Sequence, residues 1–187
     1  MMIRPDSMKV IATSLPEVLL IEPKVFGDSR GFFFESWNEL KFRSAGIEQH
    51  FVQDNHSKSA RNVLRGLHYQ IRQPQGKLVR VVAGEIFDVA VDIRRSSPRF
   101  GQHIAVTLSA EKHNMLWVPV GFAHGFCVIS ESAEVIYKTT DLYAPEHERT
   151  IAWNDPAIGI RWPVEGNPTL SAKDSMGVSL GKAEVFA

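Results

Sequence analysis

Short apolar or alternating runs follow one another along most of this chain, each closed by turn residues. They include VLLIEPKVF, GFFFESW, FVQDNHS, VLRGLHYQ, KLVRVVAGEIFDVAVDI, QHIAVTLS, MLWVPVGFAHGFCVI and AEVIYKTTDLY. Runs of this length, with Gly or Pro turns between them, predict an antiparallel sandwich or barrel. VVAGEIFDV reads as a hairpin with Gly84 supplying its turn. Helical periodicity is scarce: WNELKFRSAG predicts a short helix ended by Gly46, and LSAKDSMG a single turn near the end. Strand and helix do not alternate as in a parallel sheet, and neither GxGxxG nor GxxxxGKS/T occurs.

Within FDVAVDI, strict alternation sends Phe87, Val89 and Val91 to one face and Asp88, Ala90 and Asp92 to the other. Small Ala90 between two carboxylates suggests a face that is polar yet crowded, such as a pocket lining; a solvated sheet face is the plain alternative. A hairpin would bring Lys77 across to Asp88, a pairing that keeps a lysine charged in a partly dry site.

Composition narrows the class. The 187 residues suit a single domain, 1–187, with a polar lead-in over 1–7 and a variable tail over 177–187. Lys plus Arg (21) balances Asp plus Glu (21), which leaves no basic footprint for nucleic acid or anionic lipid. The single Cys127, between Phe126 and Val128, reads as a small buried hydrophobe and fits a reducing compartment. No run reaches the roughly 18 apolar residues of a membrane span. KVIATSLPEVLLIE imitates a signal sequence but is interrupted by Pro16, Glu17 and Glu22. A cytoplasmic protein is expected, with MMIRPDS poorly ordered ahead of Met8.

Several polar groups sit where strands should be apolar. His68 follows Gly66 in VLRGLHYQ, and Gly66 permits a bulge or close approach of a ligand; a hydrogen-bonded structural histidine is the competing interpretation. Alternation points Arg65 and His68 to opposite faces, so both serve one site only if Gly66 bends the strand. In VPVGFAHGF the spacing P-x-G-x-x-H resembles the second half of a cupin motif and places His124 inside a jelly roll. The first half would need HxH, whereas this chain has His68-Tyr69-Gln70, short of the three or more ligands of a zinc or iron site. His103, His113 and His147 fall in runs that read as surface turns, and no metal is expected. Arg30 and Glu35 flank an aromatic block; Gln53, Asp54 and Asn55 offer groups that could read a nucleobase edge. With Arg65 and Lys173 these could hold a nucleoside diphosphate without a P-loop, or merely cap strands.

KVFGDSRGFFFESW, FVQDNHSKS, VLRGLHYQ, QGKLVRVVAGEIFDVAVDIR, WVPVGFAHGF, VIYKTTDLYAPEHE, IAWNDPAIGIRWP and LSAKD, in this order over residues 9 to 176, resemble the dTDP-4-dehydrorhamnose 3,5-epimerases. The resemblance implies an all-β, antiparallel, cupin-like jelly roll with a few short peripheral helices. It also implies a homodimeric cytoplasmic isomerase without a cofactor, acting on a dTDP-4-keto-6-deoxy sugar. By motif, His68 would be the general base, Asp174 its orienting carboxylate, Lys77 the group facing the ketone and Tyr137 the proton donor. Arg30, Glu35, Gln53, Asp54, Asn55, Arg65, Asp88, His124, Glu148 and Lys173 would bind the nucleotide sugar, with Tyr143 stacked on thymine. Tyr69 replaces the phenylalanine that usually follows the histidine, and the tail after Met176 fits no family pattern.

The residue types suit the chemistry. A ketone acidifies the C–H bonds on its neighbouring carbons, and epimerisation removes a proton from one face and returns one to the other. That needs a base, an acid opposite it and a group for the enolate oxygen. Histidine, with an unperturbed pKa of about 6.5, suits the base. A relative that epimerises carbon 3 alone, a metal-dependent cupin oxygenase and a non-catalytic nucleotide-sugar-binding module are the rival readings.

Overall fold

The computed structural model describes residues 8–187, so the lead-in MMIRPDS lies outside the described residues. In chain order the elements are β1 (Lys9–Ala12), β2 (Leu19–Glu22), β3 (Phe26–Asp28), β4 (Gly31–Phe33), α1 (Glu39–Ser44), β5 (Gln53–Ala60), β6 (Leu64–Gln70), β7 (Lys77–Ala83), β8 (Glu85–Asp92), β9 (His103–Ser109), β10 (Met115–Val118), β11 (Phe122–Val128), β12 (Ser132–Thr139), β13 (Glu148–Thr150) and α2 (Ala172–Ser175). Two antiparallel sheets, ordered β1-β2-β10-β7-β12-β5 and β13-β6-β11-β8-β9, face each other as a jelly roll; β3 and β4 form a separate ribbon.

Three apolar layers hold this sandwich together. Between the sheets, Val79, Leu116 and Val135 meet Ile86, Ala90, Ile104, Leu108 and Phe126. On the outer face of the first sheet, Ile21, Leu78, Met115 and Trp117 pack under Phe42 of α1 and Ile47. On the outer face of the second, Leu67, Val89 and Val91 are covered by Ile158, Leu180 and Ala183. The alternation of FDVAVDI is therefore real, but neither face is solvated. Ala90 faces the inter-sheet core, while Val89 and Val91 lie under the C-terminal segment. That segment is no loose tail: Tyr69 Oη donates to the Glu184 carbonyl, and Arg95 N–H to that of Phe186 at 2.8 Å.

The expected β7–β8 hairpin does not form. Each strand already has two neighbours, β10 and β12 for β7 and β11 and β9 for β8, so no edge remains for them to share. Gly84, at φ +73°, instead carries the chain around a corner from one sheet into the other. A Cβ there would lie 2.0 Å from the Ser132 carbonyl oxygen. Strands β1 and β13 have no counterpart in the expected runs. β13 (Glu-Arg-Thr) lacks an apolar pattern and is a strand only because β6 pairs with it. His103 opens β9 rather than a turn, whereas His113 does sit in a left-handed turn at φ +55°.

β6 carries the local distortion that the site requires. Its register runs His68 opposite His124, then Arg65 opposite Phe126, so one extra residue of β6 is absorbed between the two pairs. That bulge turns Arg65 and His68 to the same cleft, which plain alternation forbids. Gly66 lies inside it at φ +116°, and a Cβ there would stand 2.6 Å from Gly125 Cα and 2.7 Å from the His124 carbonyl oxygen. Gly66→Ala combines a left-handed backbone with a backbone clash, so it is expected to cost about 3 kcal/mol. Thermal unfolding should show Tm lowered by roughly 6–12 °C. An unchanged Tm would mean that the two strands separate freely here.

Candidate active site

A cleft of about 300 Å³ opens between the sheets, lined by residues of β5, β6, β7, β11 and β12 and by the rim residues Tyr143, Glu148 and Lys173. Alternation along β5 sends Gln53, Asn55 and Ser57 into it. Lys77 comes from the start of β7, Tyr137 from β12, and His124 from β11 directly across from His68.

Burial and hydrogen-bond partners together set the state of the ionisable groups in this cleft. His68 Nε2 bonds to Asp174 Oδ1; because a carboxylate only accepts, Nε2 carries the hydrogen and Nδ1 is left as the basic nitrogen. Asp174 also accepts from Ser171 Oγ at 2.7 Å and from the Gly66 backbone N–H at 3.3 Å. Burial would raise the Asp174 carboxyl, but His68, Ser171 and Gly66 more than reverse it, and the group stays ionised. Burial lowers the His68 imidazole below its ordinary value, against the pull of Asp174. Burial also brings Lys77 down to about 8, although the Glu148 and Asp88 carboxylates oppose it. The Tyr137 phenol is pushed up, chiefly by burial.

At the rim, Glu148 accepts from Lys173 Nζ at 2.7 Å and from Tyr143 Oη at 2.8 Å. Burial raises its carboxyl, but these donors and the nearby positive charge leave it lowered overall. One turn of α2, capped by Ser171, delivers both Lys173 to the rim and Asp174 to His68.

Four candidates stand elsewhere. Asp54 points out of β5, where it meets Lys138 Nζ at 3.0 Å, because it is one residue out of phase with Gln53 and Asn55. Asp88 is fully buried behind the cleft wall, and both its oxygens accept from His124 Nε2, at 2.9 and 3.1 Å. It holds the imidazole rather than lining the cleft, and it makes no ion pair with Lys77. Arg30 lies on the β3–β4 ribbon, bonded to Asp28 at 2.5 Å with its side chain 88% exposed. Glu35 is held by Lys41 and by Asn38 Nδ2, the latter at 2.9 Å. Ribbon and cleft are separate because β3 and β4 pair only with each other.

The cleft also gathers Ser57, Tyr69, Gln70, Gln75 and Phe126, which residue type did not single out. Ser57 could have been found from its phase with Gln53 and Asn55. The two glutamines carried no local signal. Among the described residues, no three His, Cys, Asp or Glu side chains gather as metal ligands.

The fold and the cleft define a jelly roll whose interior gathers acid–base groups around an open cleft. Comparison with known proteins makes the family specific. The family model for dTDP-4-dehydrorhamnose 3,5-epimerase matches residues 12–182. The Pseudomonas aeruginosa dTDP-4-dehydrorhamnose 3,5-epimerase is 60% identical over 180 residues, covering 96% of this chain and 99% of that protein. A crystal structure of the Legionella pneumophila dTDP-6-deoxy-D-glucose-3,5-epimerase in complex with dTDP-4-keto-L-rhamnose superimposes with a TM-score of 0.93 at 50% identity, covering 95% of each chain. A 3'-monoepimerase from Streptomyces bikiniensis, in complex with dTDP-quinovose, is more distant: 32% identity and TM-score 0.86, covering 92% of this chain and 88% of that one. The chain belongs to the dTDP-4-dehydrorhamnose 3,5-epimerase family, and it is an isomerase.

The placement of Asp88 and Asp54 separates their effects. Asp88→Asn replaces the carboxylate that accepts from His124 Nε2 with a neutral amide, which weakens that hydrogen bond and should cost about 10- to 100-fold in kcat/KM. Asp54→Ala, which loses an exposed ion pair only, should stay within about twofold. Steady-state kinetics of the two variants decides; equal losses would put Asp54 back in the site.

Proposed function

We propose that this protein converts dTDP-4-dehydro-6-deoxy-D-glucose to dTDP-4-dehydro-L-rhamnose by inverting carbons 3 and 5, on the route to dTDP-L-rhamnose. The observation that carries the reading is the convergence of His68, Lys77 and Tyr137, from three strands, in one cleft with Asp174 behind the imidazole. Relatives at up to 60% identity named as 3,5-epimerases, against 32% for the monoepimerase, favour inversion at both carbons.

In this mechanism His68 removes the proton beside the ketone, and Asp174 stabilises the imidazolium that forms. The Lys77 ammonium faces the ketone oxygen and takes up the charge of the enolate. Tyr137 returns a proton on the opposite face, its raised phenol staying protonated until then. Neither carbon changes oxidation state, so the reaction calls for no nicotinamide. Asn55, Arg65, His124, Glu148 and Lys173 bind the nucleotide sugar, and Tyr143 stacks on the base. We place the reaction in the cytoplasm.

Arg30 and Glu35 enter this scheme through a second copy of the chain. Phe26, Phe32 and Phe33 on the ribbon are 52%, 64% and 68% exposed, an apolar surface suited to a neighbour. A homodimer in which each ribbon completes the partner's cleft accounts for that surface and brings Arg30 to the substrate. Light scattering should give twice the chain mass; a monomer at assay concentration would exclude the arrangement.

Two experiments test the chemistry. In deuterated water, Tyr137→Phe should wash label into recovered substrate while making little epimer, because His68 still forms the enolate and returns a proton on the original face. His68→Asn should show neither label nor product. Normal turnover by Tyr137→Phe would assign the acid to another group.

The pH profile follows from the two perturbed groups. His68 works as the free base, and its pKa lies below 6.5, so the acid limb of kcat/KM should fall below that pH. Lys77 works as the cation and deprotonates near 8, so activity should decline above about pH 8. Lys77→Arg should carry the basic limb to higher pH in whatever activity it retains; a limb unmoved in that variant would assign it elsewhere.

A further inference from the structure

The loop that presents Tyr143 is held almost wholly by side chains. The Asp141 carbonyl accepts from Gln75 Nε2 and Thr139 Oγ1, each at 2.8 Å. The Leu142 N–H donates to Asp141 Oδ1 at 2.8 Å, and the Leu142 carbonyl accepts from Gln70 Nε2 at 3.2 Å. The Tyr143 N–H donates to Gln53 Oε1 at 3.0 Å, and the Ala144 N–H to Gln70 Oε1 at 2.9 Å. Gln70 is thus bonded on both sides of Tyr143, and its Nε2 also donates to the Gln73 carbonyl at 2.7 Å.

Gln70 is 3% exposed, whereas the residues it secures, Leu142 and Tyr143, are 55% and 51% exposed. The Tyr143 hydroxyl is tied to Glu148 at 2.8 Å, but a backbone without a ladder of its own would still let the ring shift, and ordering it on binding would weaken affinity. The buried carboxamide fixes the backbone on either side of that ring before any ligand arrives. It does so from β6, two residues beyond His68, so the rim is indexed to the same strand as the imidazole.

We propose that Gln70 is a positioning residue for recognition of the nucleotide base: it locks the 141–144 loop so that the Tyr143 ring is set in place for stacking. This rests on the reading that Tyr143 stacks on the base, and it adds a specific cause of that ring's orientation. Gln75, through its bond to Asp141, supports the same loop from the other side.

A double-mutant cycle on dTDP binding, measured by calorimetry, tests it. Tyr143→Ala should weaken dTDP about 5- to 100-fold, the scale of one base–aromatic stack. Gln70→Met, which keeps volume and removes all three bonds, should weaken dTDP about fivefold or more and raise KM in parallel, with kcat within about threefold. In the double variant the loss should be no greater than for Tyr143→Ala alone, within twofold. Inorganic pyrophosphate, which has no base, should bind all these proteins alike. Where Gln70→Met does not fold, Gln75→Met, which removes a single bond to the same loop, takes its place in the cycle with the same expected direction. Losses that multiply in the double variant, or pyrophosphate weakened as much as dTDP, would overturn the positioning role. Tyr143→Ala weakening dTDP while the glutamine variant does not would overturn it while leaving the stacking intact. An unchanged Kd for Tyr143→Ala would instead overturn the stacking itself.

Discussion

Removing charge from water is the constraint on which the rest of this structure depends. A lysine and two imidazoles lie between two sheets, where an unpaired ion costs several kcal/mol. Burial dominates Lys77 even with Glu148 and Asp88 nearby, so the ammonium is poised to lose its proton in a mildly alkaline range. Each imidazole is met by a carboxylate, and Asp174 in turn takes hydrogen bonds from Ser171 and the Gly66 backbone. The dependence passes outward: a base needs an acceptor, the acceptor needs donors, and the donors must sit on elements the fold can fix. Three apolar layers, one between the sheets and one outside each, supply the stability that such a polar interior consumes.

The cleft has two mechanical zones. Its floor stands on strands: β6, β7, β11 and β12 are each bonded to neighbours on both sides, so His68, Lys77, His124 and Tyr137 are held by sheet ladders. Its rim is made of short pieces, the three-residue β13, the single turn of α2 and the 141–144 loop. The division suits a reaction in which proton transfers tolerate little error while the nucleotide must enter and leave.

Much of this arrangement was legible in the sequence, for unequal reasons. Strand content and both short helices followed from periodicity and turn residues. The convergence of Arg65 and His68 could be posed as a condition on Gly66, and the bulge meets it. The β7–β8 hairpin was misread because a glycine between two apolar runs looks the same whether the chain doubles back or changes sheet; only the occupancy of both strand edges tells them apart. Asp88 was legible as a carboxylate on a polar face, pocket lining or solvated, but neither as buried nor as a support for His124, since strand pairing across 36 residues leaves no local trace. Asp54 could have been excluded by applying to β5 the alternation already applied to β8. Arg30, on a ribbon that joins neither sheet, and Glu35, just beyond it, stand away from the cleft, a separation that no local pattern announces.

The corner at Gly84 has a practical meaning for anyone reshaping this pocket. A single residue tethers the wall that bears Lys77 to the wall that bears Asp88 and, through it, His124. Inserting one residue would displace one wall by about 3.3 Å along its strand and exchange its inward and outward side chains. The register of one wall against the other is thus set at the covalent level, and redesign for bulkier sugars has no slack to draw on there. The rim offers more room for change in the 141–144 loop and in β13, whereas the turn of α2 must keep Asp174 on His68.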